Sequence, residues 1–205
     1  MITNLNVFKS FKDTIALIFS AILAGLCISI GGTINLMVGG GIIGAILFTF
    51  GLITVVHYAY ALYTGTAGFV SNMQDIWCLI LILIGNVIGC FITAELIAYA
   101  MPDIIDKALG IMNQREQVNI WQAMIRGIFC GFLMTTAVHF GRKQLWLPLL
   151  FAVPVFILAG FYHSIADAFY ICTAKALSNK TILYNWLMTV LGNFIGCNLW
   201  RMKFK

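Results

Sequence analysis

Six long apolar runs, joined by short connections that hold most of the charge, constrain this chain more than any other feature. They cover about residues 14–36, 37–62, 76–99, 119–140, 145–175 (with interruptions) and 181–200. A bilayer crossing takes about 20 apolar residues, so six crossings would use ~120. In a chain of 205 residues that leaves short loops and no separate soluble domain, so 1–205 reads as one transmembrane domain. Charged residues make up only 9% of the chain and apolar ones 61%, where soluble domains average about 25% charged. So few charges cannot cover a water-exposed surface. The composition excludes an ordinary soluble enzyme, a disordered chain and a nucleic-acid module; the net charge of +5 is spread over the termini and connections.

The basic residues orient the spans. With the N-terminus inside, the cytoplasmic side receives Lys9, Lys12, Arg142, Lys143, Arg201, Lys203 and Lys205, and the outer connections receive Lys107, Arg115, Lys175 and Lys180. Positive charge concentrates on the inner side of membrane proteins, so both termini are expected in the cytoplasm and the chain in the inner (plasma) membrane. Lys9 and Lys12 ahead of the first run resemble a signal-peptide start, but the run is too long and has no convincing cleavage site. The stretch 102–113 is too short to cross and reads as interfacial. Cys27, Cys78, Cys90, Cys130, Cys172 and Cys197 lack paired spacing, so they read as small packing residues and no metal or cofactor is expected.

Gly85-Asn86-Val87-Ile88-Gly89-Cys90 in the third run recurs as Gly192-Asn193-Phe194-Ile195-Gly196-Cys197 in the sixth. Each block closes a set of three spans, and three is odd, so the halves (about 10–100 and 115–205) would enter the membrane in opposite orientations. The glycines four apart let helix backbones approach closely. The asparagines need partners inside the bilayer, and their recurrence suggests that each pins a broken segment.

The second span of each half carries a disturbance. In the first, Leu62-Tyr63-Thr64-Gly65-Thr66-Ala67-Gly68 follows an unbroken apolar run; in the second, Gly160-Phe161-Tyr162-His163-Ser164-Ile165-Ala166-Asp167 places a titratable pair inside span five. An ionised side chain there costs about 2.5–3.5 kcal/mol on insertion scales. His163 and Asp167 are four apart, so a continuous helix would set them on one face, against each other or a polar cavity. His57 and His139 read as structural.

At these residues the sequence resembles the formate/nitrite transporter family, over nearly the whole chain. The resemblance runs through Ala21-Ile22-Leu23-Ala24-Gly25, Val38-Gly39-Gly40, Phe48, Leu62-Tyr63-Thr64, Gly85-Asn86, Gly127-Ile128, the His163 block and Gly192-Asn193. It implies an all-α, aquaporin-like fold of six spans with interrupted second and fifth, a homopentamer, and a pore for small monovalent anions in each protomer. His163 matches the central pore histidine, Thr64 the threonine opposite it, and Asn193 an asparagine that supports the pair. Phe48 and Phe156 resemble the outer constriction, and Leu52 and Leu62 the inner one. Arg115 falls where a lysine usually attracts anions to the outer vestibule. Three positions depart from the pattern: Tyr162 replaces a glutamate, Asp167 an asparagine, and Gly131 a further asparagine.

The expected activity is passage of an anion such as formate or nitrite, with His163 assisting proton exchange between the constrictions and Asp167 modifying it. The alternatives are a channel for a small neutral solute and a carrier of hydrosulfide or short monocarboxylates. A membrane enzyme is disfavoured, because no second cluster of His, Cys or acidic residues completes a catalytic centre.

Overall fold

A computed structural model of the chain describes residues 11–201, which hold nine α-helices, three single 3-10 turns and no strand. The helices are α1 (Phe11–Met37), α2 (Gly41–His57), α3 (Tyr63–Thr66), α4 (Met73–Ala100), α5 (Ile104–Glu116), α6 (Ile120–Arg142), α7 (Leu147–Leu158), α8 (Ser164–Thr173) and α9 (Lys180–Asn198). Lys9, Lys203 and Lys205, which carry part of the expected charge asymmetry, lie outside the described residues.

Three of these helices, α1 from Lys12, α4 and α6, are long and apolar enough to cross a membrane by length and composition. The exterior is apolar: Phe19, Ile42, Phe50, Leu96 and Phe151 all stand exposed. Trp77, Tyr99, Trp121 and Trp200 sit exposed toward helix ends, where amphipathic rings suit a membrane–water boundary. The chain is an integral membrane protein.

α1 packs along α4 and α6 along α9, and the two crossings use the same device. A Cβ on Gly25 would overlap the Asn86 carbonyl, and one on Gly89 the Ile22 carbonyl. In the other crossing, a Cβ on Gly131 would overlap the Asn193 carbonyl, and one on Gly196 the Ile128 carbonyl. Backbone on backbone is the closest packing two helices can make, and it suits a solvent that supplies no hydrophobic drive. It also explains why Gly131 carries no side chain: the Asn193 backbone fills the space.

The helices on either side of the two disturbances end and restart alike. α2 stops where Ala59 turns left-handed (φ 55°), with Tyr60 N–H reaching back to the Val55 carbonyl. α7 stops at Gly160 (φ 69°), with Phe161 N–H donating to the Phe156 carbonyl. Both are the αL termination that closes helix carbonyls. After a few extended residues the chain re-enters helix at Tyr63 and at Ser164. Asn86 Oδ1 accepts from Tyr63 N–H (2.8 Å), while its Nδ2 donates to the Ala21 and Ala61 carbonyls. Asn193 Oδ1 accepts from Ser164 N–H (2.9 Å), and its Nδ2 donates to the Gly127 and Tyr162 carbonyls. Both N–H donors and the oxygen of each buried amide are thus engaged, as burial demands. The cysteines that close the two repeated blocks then cross between halves. Cys90 donates to the Ile165 carbonyl in α8, and Cys197 to the Thr64 carbonyl in α3.

Candidate permeation site

The two re-entry points meet. His163, 2% exposed, sits in extended backbone as the N-cap of α8. Its Nδ1 accepts from Ala166 N–H (3.2 Å) and its Nε2 lies 3.0 Å from Thr64 Oγ1. Nδ1 is thus an acceptor, so a neutral ring carries its proton on Nε2 and donates it to Thr64. The Thr64 carbonyl is held in turn by Thr135 Oγ1 and Cys197 Sγ, both at 3.3 Å. Asn193 reaches neither side chain of the pair; it positions His163 through the backbone on both sides of it.

The phenyl rings of Phe48 and Phe156 meet edge to face, centroids 6.1 Å apart, and Phe156 stacks on the His163 imidazole at 5.6 Å. All three line a cavity of about 180 Å³ together with Asn35, Arg115 and Asp167. Its polar groups include Tyr170, whose hydroxyl accepts from Asn35 Nδ2, while Asn35 Oδ1 has no partner. A second cavity, about 360 Å³, is lined by Val55, Val56, Leu62, Gly65, Phe69 and Arg142, among others. Along α2, Phe48 belongs to the first cavity and Val55 to the second, while Leu52, 1% exposed, lies between them in neither. Seven residues of helix span about 10 Å, so a short apolar neck separates the cavities.

Asp167 lines the same cavity as His163, one of the two placements its spacing allowed, and does not face the imidazole itself. Helix α8 begins at Ser164, so His163 precedes it and the two side chains share no helical face. The carboxylate instead pairs with Arg115, whose Nη2 lies 3.1 Å and Nε 3.2 Å from Oδ1. Arg115 is therefore not a free cation at the mouth. Its guanidinium also stacks over the Tyr162 ring at 3.7 Å, and Arg126 donates to the Tyr162 hydroxyl at 2.9 Å. Tyr162 and Asp167, two of the three departures from the resembled pattern, thus together hold Arg115. The partnership joins positions 52 residues apart, and no local spacing could reveal it.

Sequence reasoning counted Arg142 only as topological charge. In the structure its Nη2 donates to the Gly65 carbonyl (3.2 Å) and its guanidinium lies 4.4 Å over the Phe69 ring. His57 lines the same cavity, whereas His139 packs against Phe69 and Trp200. The polar shell of Asn35 and Tyr170 was also missed, because neither stands out among the apolar residues around it. All six cysteines are buried and none is in a disulfide, and no group of three or more His, Cys, Asp or Glu among the described residues could hold a metal.

Comparison with known proteins agrees with this architecture. A solved pentameric formate channel with formate bound superposes with a TM-score of 0.83 at 21% identity, covering 94% of this chain and 96% of that one. A solved ion channel described as of the FNT family superposes at 0.78 with 18% identity, covering 91% and 87%. A formate-nitrite transporter of Entamoeba histolytica is 25% identical over 210 residues, covering 86% of this chain. The chain spans 59% of that relative's length. The formate/nitrite transporter profile matches residues 2–200, and the chain belongs to that family.

Proposed function

We propose that the chain conducts small monovalent anions such as formate or nitrite through a path inside each protomer, with His163 at its narrowest polar point. The observation that carries this reading is the hydrogen bond to Thr64 made by His163, which lines a cavity together with Phe48 and Phe156. On this reading α2 with α3, and α7 with α8, each cross the bilayer as a broken pair, because the ten residues of α8 reach only about 15 Å of the ~30 Å core. Six crossings follow, in two inverted halves, with both termini in the cytoplasm of a plasma-membrane homopentamer. The solved pentameric formate channel supports the assembly.

A bare anion pays a steep penalty in the apolar neck at Leu52 and Leu62. Hydrogen bonding to the Nε2–H holds it at the level of His163. A proton delivered from the solvent as hydronium converts it to the neutral acid and leaves neutral water behind. The imidazole keeps its Nε2 proton and hydrogen-bonds the acid's other oxygen, and the acid crosses the neck uncharged. Thr64 keeps the imidazole oriented until the anion takes its place. The test is formate flux into proteoliposomes. His163→Phe and His163→Asn should both abolish the rise in flux with acidity that the wild type shows; an unchanged pH profile in both variants overturns the relay.

One observation favours a second reading. The pairing of Arg115 with Asp167 neutralises the charge meant to gather anions, which suits a channel for a small neutral solute. Isotope uptake into proteoliposomes separates the two, because a crossing as the neutral acid carries no net charge and gives no current. Saturable formate uptake excludes a channel restricted to neutral solutes, and uptake of a neutral solute such as urea without formate uptake excludes the first reading.

A further inference from the structure

Arg142 is the only charged side chain among the residues lining the 360 Å³ cavity. Among the described residues no carboxylate pairs with it; its bond is to a backbone carbonyl, that of Gly65. Phe69 stacks on one face of the guanidinium and fixes its plane, leaving the side chain exposed toward the cavity. Gly65 follows Thr64 directly, and Leu62 of the neck lines the same space. A cation in a low-dielectric pocket with no counter-charge attracts an anion more strongly than one in open water. A guanidinium also presents two parallel N–H groups that match a planar pair of oxygens and not a sphere.

We propose that Arg142 forms a second anion site on the side of the neck opposite His163, selective for planar two-oxygen anions such as a small carboxylate or nitrite. The site rests on the permeation reading for its purpose, though not for its chemistry. An anion binding there replaces the neutral Gly65 carbonyl as partner of the guanidinium, while Phe69 holds the ring plane in place. It serves as the docking point for anions leaving or approaching the neck from the Arg142 face.

Covalent labelling of arginine with phenylglyoxal, followed peptide by peptide by mass spectrometry on the full chain in detergent, reads the site without any flux. Formate at about ten times its half-protecting concentration should slow modification of Arg142 roughly tenfold, in proportion to occupancy, while equal chloride leaves it nearly unchanged. No protection by formate, or equal protection by chloride, overturns the proposal. In oriented proteoliposomes, Arg142→Ala should raise the half-saturating formate concentration several-fold on the Arg142 face alone, and Arg142→Lys should restore affinity without the preference over chloride. Equal shifts on both faces overturn it as well. Protection of Arg142 in a protein whose wild type carries no formate would overturn the permeation reading and leave the anion site standing.

Discussion

At the scale of single residues, the decisive question is what Asp167 does. Buried carboxylates persist only when paired, and this one, 5% exposed, has found Arg115 at 3.1 Å. The pair turns a cation facing the cavity into a neutral dipole. Asp167→Asn keeps an acceptor in reach of the guanidinium and removes the negative charge. It should lower the half-saturating formate concentration about three- to tenfold at low ionic strength, with the gain shrinking toward 0.15 M salt as exposed parts of the field are screened. Concentration-dependent flux at two salt strengths checks it, and identical affinities would make Asp167 a packing partner only. Arg115→Ala has the opposite character. It leaves the carboxylate buried without a counter-charge, and should cost about 3 kcal/mol of stability, read as a lower thermal midpoint in detergent, alongside weaker anion uptake.

At the scale of elements, the fold rests on where helices stop and how closely they cross. Ala59 and Gly160 occupy corresponding terminators, yet only one of them is glycine. A non-glycine residue in the left-handed region pays about 1–2 kcal/mol, and glycine gives back part of that in unfolded-chain entropy. Ala59→Gly should therefore stabilise the protein by roughly 0.5–1 kcal/mol. Gly196→Ala should do the reverse, because its Cβ would overlap the Ile128 backbone carbonyl, which cannot swing aside; overpacking of this kind costs about 1–3 kcal/mol. Thermal unfolding of both variants in one detergent compares the signs directly. The broken elements were legible in sequence because glycines and polar groups interrupt apolar runs, and the paired Gly-Asn blocks exposed the clamps at Tyr63 and Ser164. The α5 helix was expected only as a short interfacial stretch, and its Arg115 reaches Asp167 across a long loop of chain. Such contacts have no period or spacing of their own. Arg142 was hidden for another reason: a basic residue at a span end already has a sufficient topological explanation.

At the scale of the whole molecule, the proposed path draws all of its groups from one chain. Phe48, Phe156 and His163 line one cavity and Leu62 the other, with Leu52 between them and Thr64 hydrogen-bonded to His163. On that reading each protomer of an assembly conducts alone, and the oligomer's central axis is not the route. That distinction has a quantitative signature. If His163→Phe subunits are co-expressed with wild type and reconstituted as mixed assemblies, pH-dependent formate flux should fall in direct proportion to the wild-type fraction. A shared axial pore lined by all copies would respond far more steeply, since one altered subunit would impair the whole ring. Flux measured at several mixing ratios, with subunit content read by mass spectrometry, separates a straight line from a steep curve. A straight line requires that the hydrogen bond between His163 and Thr64 acts within one protomer, as their 3.0 Å separation in a single chain implies; a steep curve would move the site of selectivity to the interface between chains.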